Sequence, residues 1–523
     1  MGSRSQQINS FFWAGIGASL LVFSLTIGSL AAVASKAEAL YKLNQSDLAI
    51  IIFTVKQALL SAFFSIFFAI PVARALARRD FYLKNLFISV LGAPFILPIL
   101  VAVIGLVSIF GKSGFLNQFL QMINLPGFSI YGLQGIVLAH VFFNLPLAVR
   151  LILHGWYSIP MERFRLSAQL NFNSTETFRF IEVPMLKSIL PGIFGIIFLI
   201  CLTSFAIALT LGGGPKATTI ELAIYQAFRF DFNLSKAAIF AFIQFFICSL
   251  FAIVAFKFSV IEKMDASLDR FVIRWDSLGL APRVFDTFII LSVVIFIFTP
   301  LISVVIKGAP GILNLPDTVW NSVVRSLFVA LFASLFSVIL GFLVSMAIVN
   351  SKKNFQLFFE TVGYLPIVAS PMVLGTGLFI IIFPIIDPRY LVLPITILVN
   401  ALMALPFSIR ILLPHLKKLF NDYGKLIESL GFKKWDLIRI IILPKISKPL
   451  GFSFGLSAAV SMGDFGVIAL FSDSDSSTLP MTIYRFMASY RLNEAASGAL
   501  LLLILTFGIF ALFDYIGRKN VKN

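Results

Sequence analysis

Apolar runs long enough to cross a bilayer as helices, about 20 residues each, recur twelve times. They lie near 10–32, 50–73, 87–110, 132–152, 189–211, 237–257, 285–306, 321–349, 357–382, 391–412, 449–471 and 495–516. The pattern predicts an all-α polytopic membrane protein with twelve transmembrane helices. Two of the polar stretches between the runs read alike: RLSAQLNFNSTETFRFIEVP (Arg165–Pro184) and KLIESLGFKKWDLIRIIILP (Lys425–Pro444). Leu170, Phe172, Arg179, Ile181 and Pro184 recur 260 residues on as Leu430, Phe432, Arg439, Ile441 and Pro444.

The likeness continues beyond these stretches. Leu145, Pro146 and Arg150 match Leu405, Pro406 and Arg410, and Ala58–Ser65 resembles Ala330–Ser337. TTIELAIY (Thr218–Tyr225) pairs with STLPMTIY (Ser477–Tyr484). The chain thus reads as two six-span repeats, 1–257 and 285–523, joined by a charged connector, 258–284. Six is even, so both repeats enter the membrane from the same side. They are parallel, related by a pseudo-two-fold axis along the membrane normal, with a pathway expected between them.

Lys and Arg set the orientation. The positive-inside rule favours cytoplasmic N- and C-termini and puts both repeated stretches on the cytoplasmic side. The first run ends AAVASKA, like a signal-peptide cleavage site, but its length and its counterpart in the second repeat favour a retained anchor.

Each repeated stretch predicts a helix–turn–helix, expected at 157–187 and 415–448. Leu426 and Leu430 share a helical face at i, i+4, as do Leu166 and Leu170, with Ala168 between them. Gly431 then supplies a left-handed cap, and Asn171, the next-best residue type for that conformation, stands in its place in the first copy. A second short helix is expected from about Ser174, interrupted by Pro184 or Pro444 before the next span. Phe172 and Phe432 are expected to be exposed on a docking face.

Composition narrows the function. The chain is 59% hydrophobic and 12% charged, against about 25% charge in soluble domains. Its net charge of +17 fits basic cytoplasmic loops facing membrane lipid better than nucleic-acid binding. Two cysteines and three scattered histidines give no disulfide framework, no metal site and no catalytic set. GGGPKATT (Gly212–Thr219) is not a phosphate-binding loop, because Pro215 separates the glycines from Lys216. Asp464, inside the eleventh run, is expected to face a cavity or a partner group, since an intramembrane acid is costly; its counterpart is Ser204. A substrate-pathway role and a purely structural one both remain open for this pair. The same holds for His140, Asn144 and Asn400, which suit inter-helix hydrogen bonding.

The spacing of the repeated stretches resembles the "EAA" loop of permease subunits in binding-protein-dependent ABC importers. In that loop a short acidic-start motif is followed by Gly and, nine residues later, by I-x-L-P. Gly431 and Ile441–Pro444 fit it; Arg165 and Lys425 stand where Glu is expected, and Asn171 replaces the first Gly. Two fused domains are typical of the ferric-iron and thiamine branches. Ser204–Phe232 and Ser461–Phe471 are similar to the thiamine permeases.

The resemblance implies the type I ABC importer permease fold. It implies two copies of an ABC ATPase subunit docked on the loops, and a periplasmic thiamine-binding protein on the other side. It implies no cofactor in this chain, ATP and Mg being held by the ATPase, and a place in the bacterial inner membrane. Transport of thiamine, with its phosphates as further candidates, by alternating access is the activity expected. Ferric-iron import is the alternative within this class. A secondary transporter would not need paired helical loops, and a membrane enzyme would need a convergent catalytic set.

Overall fold

The computed structural model describes residues 2–36, 43–84, 87, 88, 91, 96–258, 274–430, 434–471 and 476–519. All regular structure among them is helical. Among the described residues, eleven helices are long and apolar enough to span a membrane, and a bent pair brings the number to twelve. Phenylalanine serves both surfaces of the bundle. Phe63, Phe67, Phe246 and Phe288 point outward, whereas Phe142, Phe198, Phe240 and Phe465 are fully buried.

Four spans depart from the continuous helices the runs predict. The fifth divides into Val183–Leu202 and Ala206–Leu211, and the eleventh into Leu443–Met462 and Gly466–Phe471. The ninth turns by 90° between Phe355–Ala369 and Pro371–Ile382. Ser370 makes that corner with φ +58°, and its hydroxyl accepts the Val373 N–H at 3.3 Å; Pro371 has no N–H to continue the preceding helix. The third run yields Ile99–Phe110 and then Phe115–Met122, while most of 85–95 lies outside the described residues. Ile99 and Pro371 are 272 residues apart, the offset that also relates Ala58 to Ala330. The helix Ile99–Phe110 therefore begins at the place equivalent to Pro371, the start of the ninth span's second segment.

The first span, Gly2–Lys36, packs against the eighth and ninth, and the seventh, Leu280–Gly308, packs against the second and third. Each repeat thus lends its first helix to the other. Two glycines 272 residues apart allow this. A Cβ on Gly105 would lie 2.5 Å from the Pro300 carbonyl oxygen, and one on Gly377 would collide with the Ser29 carbonyl. Close backbone approach through small residues is how helices associate in lipid, where no hydrophobic drive separates one apolar face from another. Serines add polar contacts between spans. Ser408 Oγ lies 3.0 Å from Ser337 Oγ and 3.2 Å from Ser457 Oγ, joining the eighth, tenth and eleventh spans.

Candidate functional site: two loops and two helix elbows

In the first repeated loop, the fourth span ends at Ser158 and a separate helix, Met161–Gln169, follows Pro160. Pro160 disfavours helix at Ile159. Its counterpart is Phe420, so in the second repeat one helix runs unbroken from Val392 to Leu430. Asn171 adopts φ +54°, the conformation expected of it. Its N–H reaches the Ala168 carbonyl at 3.1 Å, and the Phe172 N–H reaches Ser167 at 2.9 Å, closing the helix. Asn173 then caps the next turn, Ser174–Thr177, in a reciprocal box with Glu176.

Pro184 does not interrupt the second helix as expected, and neither does Pro444. In each copy a π-helical turn, Phe178–Glu182 or Leu437–Ile442, leads directly into the span. The wider turn takes up the position where proline cannot donate, and Pro184 and Pro444 sit in the first turn of the following helix.

Leu166 and Leu170 are exposed and Ala168 is half-buried. Phe172 is also half-buried rather than exposed, because its ring leans on Phe180 with centroids 5.7 Å apart. Phe180 takes over the outward apolar role. In the second loop Leu426, Trp435 and Ile440 are exposed. Leu430 ends its helix, and Gly431 and Phe432 lie outside the described residues.

Glu182, wholly buried in the first loop, meets Arg74 of the second span and Arg274 of the connector, each at 2.6 Å. Arg274 also holds Asp276 at 2.8 Å and lies over the Phe164 ring, 4.4 Å from its centroid. Arg78 bonds Asp276 at 2.9 Å and the Ser174 hydroxyl at 2.5 Å. Arg79 meets Asp286, at the start of the seventh span, at 2.7 Å. Burial alone would raise the Asp276 carboxyl. Hydrogen bonds from Arg274 and the charges of Arg274, Arg78 and Arg74 outweigh burial and hold it below the ordinary carboxylate range. Its share of the cluster's stability therefore persists above that range and is lost only as pH falls beneath it. A cleft of about 210 Å³ opens between the loop and the connector, lined by Phe164, Asn171, Phe172 and Trp275 among others.

The two broken spans meet deep in the bundle. Thr203–Phe205 and Gly463–Phe465 form equivalent elbows, and the Phe205 and Phe465 rings stack on each other, 5.8 Å apart and 19° from parallel. A residue that touches its own counterpart lies on the symmetry axis, so this stack marks where the repeats face each other. Tyr225 packs edge-on to Phe205 at 5.2 Å, and its counterpart Tyr484 tilts against Phe465 at 5.1 Å. Irregular backbone survives at membrane depth only inside protein or along a cavity, and side chains satisfy it here. Gln57 donates to the Cys201 carbonyl at 3.0 Å and Gln244 to Leu202 at 3.1 Å.

Asp464 occupies the second elbow. One carboxylate oxygen accepts the Gly466 N–H at 3.3 Å, while the other, like the Ser204 hydroxyl in the first elbow, is buried with no hydrogen-bond partner among the described residues. Gly463 packs against Pro98 of the opposite repeat. Asn400 donates to Ser461 Oγ at 3.0 Å, one turn before the elbow. His140, the Asn400 counterpart, bonds Ser61 at 3.0 Å, and Asn144 donates to Cys201 Sγ at 3.2 Å. Ser204, Asp464 and Asn400 thus converge on the elbows, whereas His140 and Asn144 tie the fourth span to its neighbours.

Sequence reading missed Phe205, Phe465, Tyr225 and Tyr484, although each pair stands at the repeat offset. It also missed Glu221, wholly buried, which accepts from Gln244 at 3.3 Å.

The family model "Binding-protein-dependent transport system inner membrane component" matches residues 337–522. The chain is 37% identical over 481 residues to the thiamine transport system permease protein of Salmonella typhimurium, covering 90% of this chain and 89% of that protein. The Escherichia coli protein of the same name is 36% identical over the same coverage. That of Haemophilus influenzae is 35% identical, covering 88% of this chain and 87% of its own length. With its many apolar spans, its paired loops and these full-length likenesses, the chain belongs to the thiamine transport system permeases, multi-pass inner-membrane subunits of binding-protein-dependent ABC importers.

Proposed function

We propose that this chain carries thiamine into the cytoplasm by alternating access, with both termini cytoplasmic. Two copies of an ABC ATPase dock on the loops at 157–187 and 415–448, and they hold the ATP and Mg. A periplasmic thiamine-binding protein delivers the substrate on the opposite side. ATP drives the cycle through the different loop positions favoured by its bound and hydrolysed states.

One observation carries the pathway: the two elbows bring Phe205 and Phe465 together on the axis, with Asp464 beside them. In the state described, the stacked rings and the two tyrosines close the route. Parting the repeats separates the stack and leaves aromatic faces lining the opening. Thiamine carries a positively charged thiazolium. An aromatic face attracts a desolvated cation by about 0.5–2 kcal/mol, and Asp464 adds a carboxylate that makes no ion pair among the described residues.

Asp464→Asn keeps the side-chain shape and removes the charge. In liposomes containing the complete importer, it is expected to lower thiamine uptake about tenfold, a figure that corresponds to about 1.4 kcal/mol, while ATPase co-purification stays intact. Unchanged uptake would remove Asp464 from the pathway. Competition by thiamine phosphates in the same assay reports whether they pass.

A further inference from the structure

Among the described residues, the buried ionic cluster at the first loop has no equivalent in the second. Arg74 and Glu182 correspond to Met346 and Ile442, by the offsets of 272 and 260 residues that relate their spans. Met346 and Ile442 are both buried in one apolar cluster with Leu412, Leu416, Leu437 and Ile446. The same joint between a span end and a π-helical turn is therefore made with charge in one repeat and with hydrocarbon in the other. The charged version recruits a third element, the connector, through Arg274 and Asp276. Among the described residues, no arginine reaches the second loop's π-helical turn from another element as Arg274 reaches Glu182.

We propose that the connector segment Arg274–Asp276 latches the first loop, and that Arg274 and Arg74 are positioning residues that set this loop's angle through Glu182. This rests on the reading of the loop as an ATPase-docking element. The geometry gives the latch three holds. The Arg274 guanidinium binds Glu182 on the span side of the loop, and its plane covers Phe164 in the docking helix. Asp276 bridges Arg274 to Arg78, which also holds Ser174 at the start of the second short helix. Both helices of the first loop are thus tied to the connector. Arg79 and Asp286 join the second span to the base of the seventh, which continues the connector into the membrane. Movement of an ATPase against the first loop is passed to the second and seventh spans together. The second loop meets its repeat through the apolar cluster around Met346 and Ile442 and through a part-exposed Lys417–Glu360 pair at 3.3 Å.

Spin labels at Leu166→Cys and Leu426→Cys, both exposed, report the two loops separately in the full chain without ATPase; the native Cys201 and Cys248 are buried. Arg274→Gln is expected to free the label at 166 and leave that at 426 unchanged. In the complete importer it is expected to lower thiamine moved per ATP hydrolysed by about fivefold, while hydrolysis continues. In a chain carrying Arg74→Met and Glu182→Ile, which gives the first loop the apolar pair of the second, Arg274→Gln is expected to have no further effect on coupling. Equal loosening at both labels, or none at 166, overturns the latch. So does an undiminished Arg274→Gln effect in the apolar-pair chain. A freed label with unchanged coupling leaves the latch standing and overturns the docking role of the loop.

Discussion

Glu182→Leu is expected to lower the stability of the first repeat by about 3–5 kcal/mol, because it leaves Arg74 and Arg274 in a buried site without their shared anion. Glu182 is fully buried and close to both guanidinium groups, so the penalty comes mainly from stranded positive charge rather than from lost attraction. The second repeat supplies the matching experiment. Ile442→Glu puts a lone carboxylate among Leu412, Leu416 and Ile446, with no arginine at position 346, and is expected to cost a similar amount. Arg74→Met with Glu182→Ile removes the central pair together and is expected to be milder than Glu182→Leu, as buried pairs replaced whole by apolar residues often are. Thermal unfolding of the purified chain in detergent measures all three. If Glu182→Leu proves as mild as an exposed charge change such as Glu162→Gln, the buried cluster does not hold the loop.

Gly377→Val is expected to be among the most damaging single substitutions in the membrane core. Its new side chain would meet the Ser29 backbone; a side chain can rotate away, but helix backbone can yield only by displacing the whole first span. Overpacking of a core commonly costs about 1–3 kcal/mol, and here it also pries a helix from the opposite repeat. Gly105→Val does the same to the seventh span at Pro300. Both are expected to lower the yield of folded protein and the unfolding temperature in detergent. Valine at Gly28, where a Cβ meets nothing within 4 Å, is the control. Equal behaviour of all three variants would show that the first helices are not seated as described.

The twelve runs and the turn at Asn171 were legible because each rests on a local signal: length and hydropathy for the spans, and the left-handed tolerance of Asn for the turn. The elbows were not. Thr203-Ser204-Phe205 contains neither Gly nor Pro, and nothing in the run 189–211 distinguishes a helix that stops from one that continues. The exchanged first helices were hidden for a related reason: in lipid, a face that packs on protein and one that packs on acyl chains are both apolar. Proline was over-read at 184, where a π turn absorbs it, and its effect at Pro160 was not anticipated. The arginines at 74, 78 and 79 were read only as part of a positive-inside excess. That bulk rule predicts a side of the membrane but not their partners, Glu182 for Arg74, Asp276 for Arg78 and Asp286 for Arg79, each more than a hundred residues away. Asp464 was legible as a costly acid, yet the aromatic stack beside it depends on two breaks meeting at the axis, which no local pattern encodes.

The exchange of first helices makes the chain's continuity dispensable once it has folded. A cut within 259–273 would leave the front piece gripping the rear through its own first span, and the rear piece gripping the front through the seventh. The rear piece would also keep Arg274 and Asp276 within reach of Glu182 and Arg78. Two separately expressed polypeptides divided there are therefore expected to assemble as interlocked partners and co-purify. Fusion serves mainly to fix their ratio at one to one.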